Sequence, residues 1–185
     1  MVKEIIANNE ERLEKSIAAL RREFGSLRAG RATPSLLDKV MVDYYGTPTP
    51  VNQVAKVSVP EPRMIVIQPW EKNLIHDIEL AIMKSDLRLS PNSDGTAIRL
   101  SIPQLTQERR QELVKTVGKK AEEAKVAIRN IRRDGNESVK KLEKAKEITE
   151  DESKKAQEDI QKIVDKYIKT VDTLKEAKDK EIMEV

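Results

Sequence analysis

The fold is decided by residues 113–142, LVKTVGKKAEEAKVAIRNIRRDGNESVKKL. Within this stretch, small and apolar side chains recur at steps of four or three residues, which is the heptad spacing of helices that pack along their length. The repeat predicts one long helix in a bundle or coiled coil. The positions of this apolar stripe are Leu113, Val117, Ala121, Ala124, Ile128, Ile131, Gly135, Val139 and Leu142.

Positive charge is sorted onto one side of the same helix. Successive residues turn by about 100°, which places five cations in one sector beside the apolar stripe. Glu123, Asp134 and Glu137 fall beyond that sector, and only Glu122 and Glu143 intrude. The cations, which we call the basic face, are Lys125, Arg129, Arg132, Arg133 and Lys140.

Two further proline-free segments predict partner helices. Residues 2–27 carry apolar side chains at helical spacing, and a third helix opens at Thr149, where Glu152 completes a capping box. Thr106 is the predicted N-cap of the long central helix, which runs to about residue 146. A break at 146–148 would make the two long helices antiparallel. We therefore expect a three-helix bundle.

All eight prolines lie between Thr33 and Leu105, and the short β-prone runs of the chain lie there too. We predict strands at 40–44, 55–59 and 64–68, a helix at 73–84, and a hairpin of 87–89 with 98–101 around Asp94-Gly95. The predicted fold is therefore α+β. The bundle comprises residues 1–29 and 106–185, and an inserted α/β domain of residues 30–105 is joined to it by crossings at 28–31 and 102–105.

Composition narrows the class of protein. The chain has 185 residues, 36% of them charged, a net charge of +3 and no cysteine. It lacks disulfides and thiolate metal sites, and no run reaches the roughly 20 apolar residues of a membrane span. The first residues also lack the apolar region of a signal peptide. We expect a cytoplasmic protein without a membrane partner.

Six stretches, in order along the whole chain, resemble the bacterial ribosome recycling factors. They are LRAGRA (27–32), YGTP (45–48), IVIQPW (65–70), LTQERR (105–110), RNIRRD (129–134) and KEIMEV (180–185). The resemblance implies an L-shaped, tRNA-like molecule with a three-helix rod as one arm and the α/β domain as the other. It also implies a non-enzymatic role without a cofactor: binding the large ribosomal subunit in the tRNA sites and, with elongation factor G and GTP, splitting the post-termination complex. We expect a monomer whose partners are ribosomal RNA and elongation factor G, and not DNA.

The basic face is the predicted RNA-binding surface, because guanidinium groups match phosphate oxygens in a planar fork. Arg132 is the first candidate, with Arg129 and Arg133 beside it, and Lys125 is weaker. The resemblance adds Arg28, Arg31 and Arg110. The predicted hinge comprises Gly30, Arg31, Pro103 and Gln104.

Several alternatives stay open at this point. Charged residues outside a heptad core often only solvate the surface. The runner-up function is a coiled-coil scaffold or adaptor that binds protein helices without RNA. An enzyme is third, because the single histidine, His76, allows no histidine-based metal cluster, and the six glycines form no phosphate loop. Gly135 indicates either a local bend or close helix packing, and Trp70 is expected to pack in the core or at the hinge.

Overall fold

The computed structural model describes residues 1–27 and 30–184, and the chain divides into two compact units. The first unit comprises Met1–Arg28 and Thr106–Val185, and the second comprises Ala29–Leu105. The helices are α1 (Val2–Ser26), α2 (Val51–Val54), α3 (Ile75–Lys84), α4 (Gln107–Lys144) and α5 (Glu150–Met183). The strands are β1 (Met41–Tyr44), β2 (Thr47–Pro50), β3 (Ala55–Glu61), β4 (Met64–Pro69), β5 (Pro91–Ser93) and β6 (Ile98–Ser101).

Helices α1, α4 and α5 form the first unit, and the predicted caps set where the long helices begin. The hydroxyl of Thr106 accepts a hydrogen bond from the backbone N–H of Arg109, and Thr149 accepts one from Glu152, each at 3.1 Å. Between them, α4 ends in a Schellman motif in which Lys146 adopts a φ of +60° and Glu147 donates its N–H to Leu142 at 3.0 Å. This tight end reverses the chain within a few residues.

Side-chain contacts define the helix directions in this unit. Glu143 meets Ser153, and Lys125 meets Asp172, so α4 and α5 are antiparallel. The predicted stripe of α4 forms the inner face, with Ala124 and Leu142 half-buried at its edge and the other seven positions buried. The prediction of a three-helix bundle is therefore confirmed.

The second unit holds two small sheets and the short helices. β1 pairs with β2, and a four-stranded antiparallel sheet has the order β3-β4-β6-β5. The prediction that residues 87–89 pair with β6 is wrong, because Pro91–Ser93 takes that place and Arg88 has a φ of +55°, which an extended strand cannot contain. The α+β class itself is confirmed.

Aromatic side chains lie outside the core of the second unit, which is built from aliphatic residues of the four-stranded sheet and α3. Trp70 was expected in the core or at the hinge, and the core alternative is wrong, since 68% of its surface is exposed. His76 is also exposed, as predicted for a helix surface. In the part of the chain that the structure describes, no helix has the length and apolar character needed to span a bilayer.

Both ends of the second unit are tied to the turn between β3 and β4. The N–H of Ala32 donates to the carbonyl of Pro62 at 2.7 Å, and the N–H of Ile102 donates to the carbonyl of the next residue, Arg63, at 2.8 Å. Gly30 has a φ of +76°, and a Cβ added there would lie 3.2 Å from Cγ of Leu105. The first and last residues of this unit therefore converge.

Candidate nucleic-acid interface

The basic face lies along the middle of α4, on a backbone that is fixed from the inside. Ile128, Ile131 and Val139 are at most 5% exposed and hold the helix against its neighbours. Because packing fixes the helix axis, the backbone positions of these charged residues keep their spacing when a partner binds. Only their side chains need to move. What the face can bind then depends on whether its charges are already neutralised.

Arg132 is the best positioned of these cations. Its side chain is half-buried, and Nη1 donates to Oε1 of Gln161 in α5 at 3.2 Å. Gln161 in turn donates Nε2 to Asp165 at 2.8 Å, which orients the amide. The acceptor of Arg132 is a neutral amide, so the guanidinium is held in place while its charge stays uncompensated. Four of its five N–H donors remain for a ligand.

The charges of the other cations of the basic face, apart from Lys125, are also largely uncompensated. Arg133 and Lys140 are exposed, and neither has an ion pair among residues 1–27 and 30–184. Arg129 approaches Glu122 at 3.5 Å, but both side chains are about half exposed or more. An exposed pair of this kind contributes about 0 to 1 kcal/mol. A ligand phosphate can replace Glu122 at little cost.

The carboxylates near the basic face offset it only in part. Asp134 forms an ion pair with Arg12 of α1 at 3.0 Å, and Glu143 accepts a hydrogen bond from Ser153 at the start of α5 at 3.2 Å. The sector of the basic face holds five cations and only the two carboxylates Glu122 and Glu143. The surface is therefore net positive, and polyanions are the ligands it favours.

Two other predicted RNA contacts already contact residues of α5. Lys125 is only 20% exposed and pairs with Asp172 of α5 at 2.5 Å, so its charge is compensated. Arg110 is 8% exposed, and its Nη1 donates to the carbonyl of Met183 at 3.4 Å, near the end of α5. The buried position of Arg110 does not fit the predicted RNA contact, and we assign it a role in closing that end of the bundle.

Of the two candidates from the first crossing, the structure describes only Arg31. Arg31 is exposed and belongs to the second compact unit. Arg28 lies outside the described residues. Within the basic face, the cations available to a ligand are therefore Arg129, Arg132, Arg133 and Lys140.

Gly135 lies in the apolar stripe of α4, beside the basic face, and its environment decides between the two sequence interpretations. Asn9 of α1 is 5% exposed and donates Nδ2 to the carbonyl of Ile131 at 2.8 Å. A Cβ on residue 135 would lie 2.5 Å from that nitrogen and 3.3 Å from Cδ1 of Ile160. The glycine therefore allows close packing of α1 on α4, which is one continuous helix through this point.

A second basic surface was missed by sequence reasoning. A groove of about 650 Å³ lies between α1 and α5, where Arg21, Lys162, Lys166 and Lys169 surround the single carboxylate of Asp165. The excess of acidic over basic residues along 147–185 hid it, because a sum over a helix ignores which face each charge occupies. The signal was present as lysines three and four residues apart.

Among the described residues, no group of three or more histidine, cysteine or acidic side chains is placed to hold a metal ion. The basic surfaces can bind a polyanion through charge and hydrogen bonds.

Comparison with known proteins covers the whole chain. The family model described as Ribosome recycling factor matches residues 20–183. A ribosome-recycling factor of Desulforamulus reducens is 60% identical over 185 residues, which is 100% of both chains. A solution structure of a ribosome recycling factor matches with a TM-score of 0.77 and 42% identity, covering 100% of this chain and 98% of that chain. The T. thermophilus ribosome recycling factor, described with E. coli elongation factor G bound to the E. coli post-termination complex, matches with a TM-score of 0.64, 45% identity and 100% coverage of both chains.

Proposed function

This chain belongs to the ribosome recycling factor family, and we propose that it binds the large ribosomal subunit in the tRNA sites after termination and separates the subunits together with elongation factor G and GTP. The factor acts in the cytoplasm as a monomer. Nucleotide hydrolysis is the work of the partner, and this protein contributes a shaped and charged body. Full-length similarity to recycling factors supports this proposal. The uncompensated cations of α4 indicate which residues would contact the RNA.

We assign ribosomal RNA contact to Arg132, Arg129 and Arg133, with Arg31 as a further contact on the second unit. Structured RNA is recognised largely through its phosphates and its shape. Arg132 suits this task because Gln161 orients it without neutralising it. A preoriented guanidinium loses less side-chain entropy on binding than a freely rotating one.

The test of this assignment is co-sedimentation with isolated large ribosomal subunits over a salt series. Each phosphate neutralised makes log K fall with log salt by a slope of about 0.7 to 0.9. Arg132→Ala should weaken binding about tenfold to a hundredfold, the range expected for loss of a charged hydrogen bond. Arg109→Ala is the matched control, because Arg109 lies in the first turn of α4, outside the sector of the basic face, where it pairs with Glu112 at 3.0 Å.

Equal binding by Arg132→Ala and wild type at every salt concentration would remove Arg132 from the interface. Absence of wild-type binding at low salt would overturn the function itself and favour the scaffold interpretation. Helix content measured by circular dichroism should be the same in both variants. A large loss of helix in Arg132→Ala would mean that its contact with Gln161 is structural.

We propose that Gly30, Arg31, Pro103 and Gln104 form a hinge that lets the second unit move during splitting. The bundle holds the chain up to Leu27, the residue before the first crossing. The carbonyl of Leu27 accepts a hydrogen bond from Lys178 at 3.1 Å. A disulfide introduced across the two crossings would be the only one in the chain. The oxidised protein should bind subunits normally but fail to split them, and reduction should restore splitting. Full splitting activity in the oxidised protein would refute the hinge.

A further inference from the structure

An exposed aromatic cluster occupies one edge of the second unit. Tyr44, Tyr45 and Trp70 are three of only five aromatic residues in the chain. Tyr45 is 77% exposed and Trp70 is 68% exposed. The hydrophobic core beside them contains no aromatic residue of its own, although Tyr44 packs against its edge. Large rings placed at the surface in this way indicate a binding role, since burial would stabilise the fold more.

The backbone at Tyr45 supports the same interpretation. Tyr45 and Gly46 form the two-residue loop between β1 and β2, and their φ angles are +49° and +84°. Such loops favour asparagine or glycine, and a bulky side chain at positive φ is strained. The N–H of Gly46 is satisfied by Asp43 at 2.8 Å, which would serve the turn with any residue at position 45. A tyrosine at position 45 therefore does not stabilise the turn.

Glu71 organises the cluster. The hydroxyl of Tyr44 donates to Oε1 at 3.3 Å, and the hydroxyl of Tyr45 donates to Oε2 at 3.0 Å. The two rings meet edge to face, with centroids 4.6 Å apart. The carboxylate raises the pKa of both tyrosines, so the hydroxyls stay protonated and remain donors. Across the described parts of the chain, no lysine, arginine or histidine pairs with Glu71.

A pocket of about 230 Å³ opens beside this carboxylate. Tyr44, Trp70 and Glu71 line it together with the aliphatic side chains of Val54 and Leu74. Backbone hydrogen bonds fix the residues that line the pocket. The N–H of Trp70 donates to the backbone carbonyl of Val54, and the N–H of Leu74 donates to the backbone carbonyl of Glu71, each at 3.1 Å. The pocket thus combines aromatic faces with one uncompensated negative charge.

We propose that this pocket is a docking site for an arginine side chain of a protein partner. A guanidinium is planar and stacks on an indole or phenol face while its N–H groups donate to a carboxylate in a fork. The pocket supplies both surfaces. A nucleotide is a poor occupant, because its phosphate would be repelled by Glu71. An apolar side chain would bury that carboxylate without a countercharge, at a cost in free energy.

This site is separate from the basic face and goes beyond the proposed function. The basic face lies on α4, whereas the pocket belongs to the other compact unit and carries a negative charge.

The experiment uses Trp70, the only tryptophan of the chain, as the reporter. The probe is acetyl-glycyl-arginyl-glycinamide, titrated into the full-length protein while tryptophan fluorescence and the indole N–H resonance are recorded. The matched probe carries citrulline, which has the same shape and no charge. We expect saturable changes with the arginine peptide and binding at least about tenfold weaker with citrulline, since a charged hydrogen bond is lost.

Two variants sharpen the test. Glu71→Gln keeps an acceptor for the tyrosine hydroxyls but removes the charge, and it should abolish discrimination between the two peptides. Glu61→Gln removes an exposed carboxylate at the opposite end of the β3 and β4 pair, and it should leave binding unchanged.

Equal responses to arginine and citrulline in the wild type would overturn the proposal, as would full discrimination in Glu71→Gln. Saturable binding of adenosine monophosphate without a response to arginine would identify a base-stacking surface instead and would also overturn it.

Discussion

Replacing Gly135 with alanine sets helix propensity against packing, and the two effects have opposite signs. In an exposed helix interior, alanine is more favourable than glycine by about 1 kcal/mol. At residue 135, the new Cβ would lie 2.5 Å from Nδ2 and 3.1 Å from Cγ of Asn9. These distances are too short, so either Asn9 must turn away or α1 must move.

The structure allows the cost to be worked out. If Asn9 turns, its buried amide loses the bond to Ile131, which costs about 1 to 3 kcal/mol. If the helices separate instead, overpacking costs a similar 1 to 3 kcal/mol. After the gain in propensity, we expect Gly135→Ala to destabilise the protein by up to about 2 kcal/mol. In a chain of this length that lowers the melting temperature by up to about 8 °C.

The assay is thermal and urea unfolding followed by circular dichroism at a helix wavelength. Gly118→Ala is the control on the same helix, because its Cβ would meet only the end of Lys175 at 3.9 Å. It should stabilise the protein by about 0.5 to 1 kcal/mol. In an Asn9→Ala background, Gly135→Ala should lose its penalty. If Gly135→Ala raises the melting temperature as Gly118→Ala does, the close contact with Asn9 does not constrain the bundle and the reasoning is wrong.

Three further predictions concern other sites. The hydrogen bond from Arg99 at 2.7 Å is the largest effect holding the pKa of Asp94 well below its usual 3.8, so stability from this group is present above that value and is lost as pH falls below it. Between pH 5 and pH 2.5, the free energy of unfolding measured with urea should therefore fall less for Asp94→Asn than for wild type. An equal fall in both proteins would exclude the effect. Arg110→Ala should lower bundle stability by about 1 to 3 kcal/mol, whereas unchanged stability with weakened subunit binding would return Arg110 to the RNA interface. Lys166→Ala, in the groove between α1 and α5, should reduce the salt slope of subunit binding by up to about 0.8, and an unchanged slope would mean that the groove faces away from RNA.

Periodicity and capping predicted the bundle because both depend on neighbours along the chain. The stripe of α4 and the caps Thr106 and Thr149 are local patterns, and the structure contains them. β2 was missed because Thr47–Pro50 contains two prolines, which an edge strand tolerates but a sequence pattern counts against a strand.

The side chains of the candidate site were harder to predict, because their charge state depends on other helices. The basic face was visible on α4 alone. Three features depend on contacts with α5, which the pattern of α4 does not contain. Asp172 neutralises Lys125, Arg110 is buried, and Gln161 orients Arg132. Trp70 was misplaced for a related reason, since hydrophobicity cannot tell a core ring from a ring held at a surface.

The convergence of the two ends of the second unit bears on the order in which the chain assembles. Packing α1 on α4 requires closing a loop of nearly eighty residues while residues 29–105 are unfolded. Closure entropy grows by about 0.6 kcal/mol for each doubling of loop length, so the full loop costs about 2 to 3 kcal/mol more than one of a few residues. Once the second unit folds, Gly30 lies against Leu105 and the long loop becomes a short one. The inserted domain thus lowers the entropic barrier to assembly of the bundle, and destabilising its β3 and β4 turn should slow the folding of helices that it does not belong to.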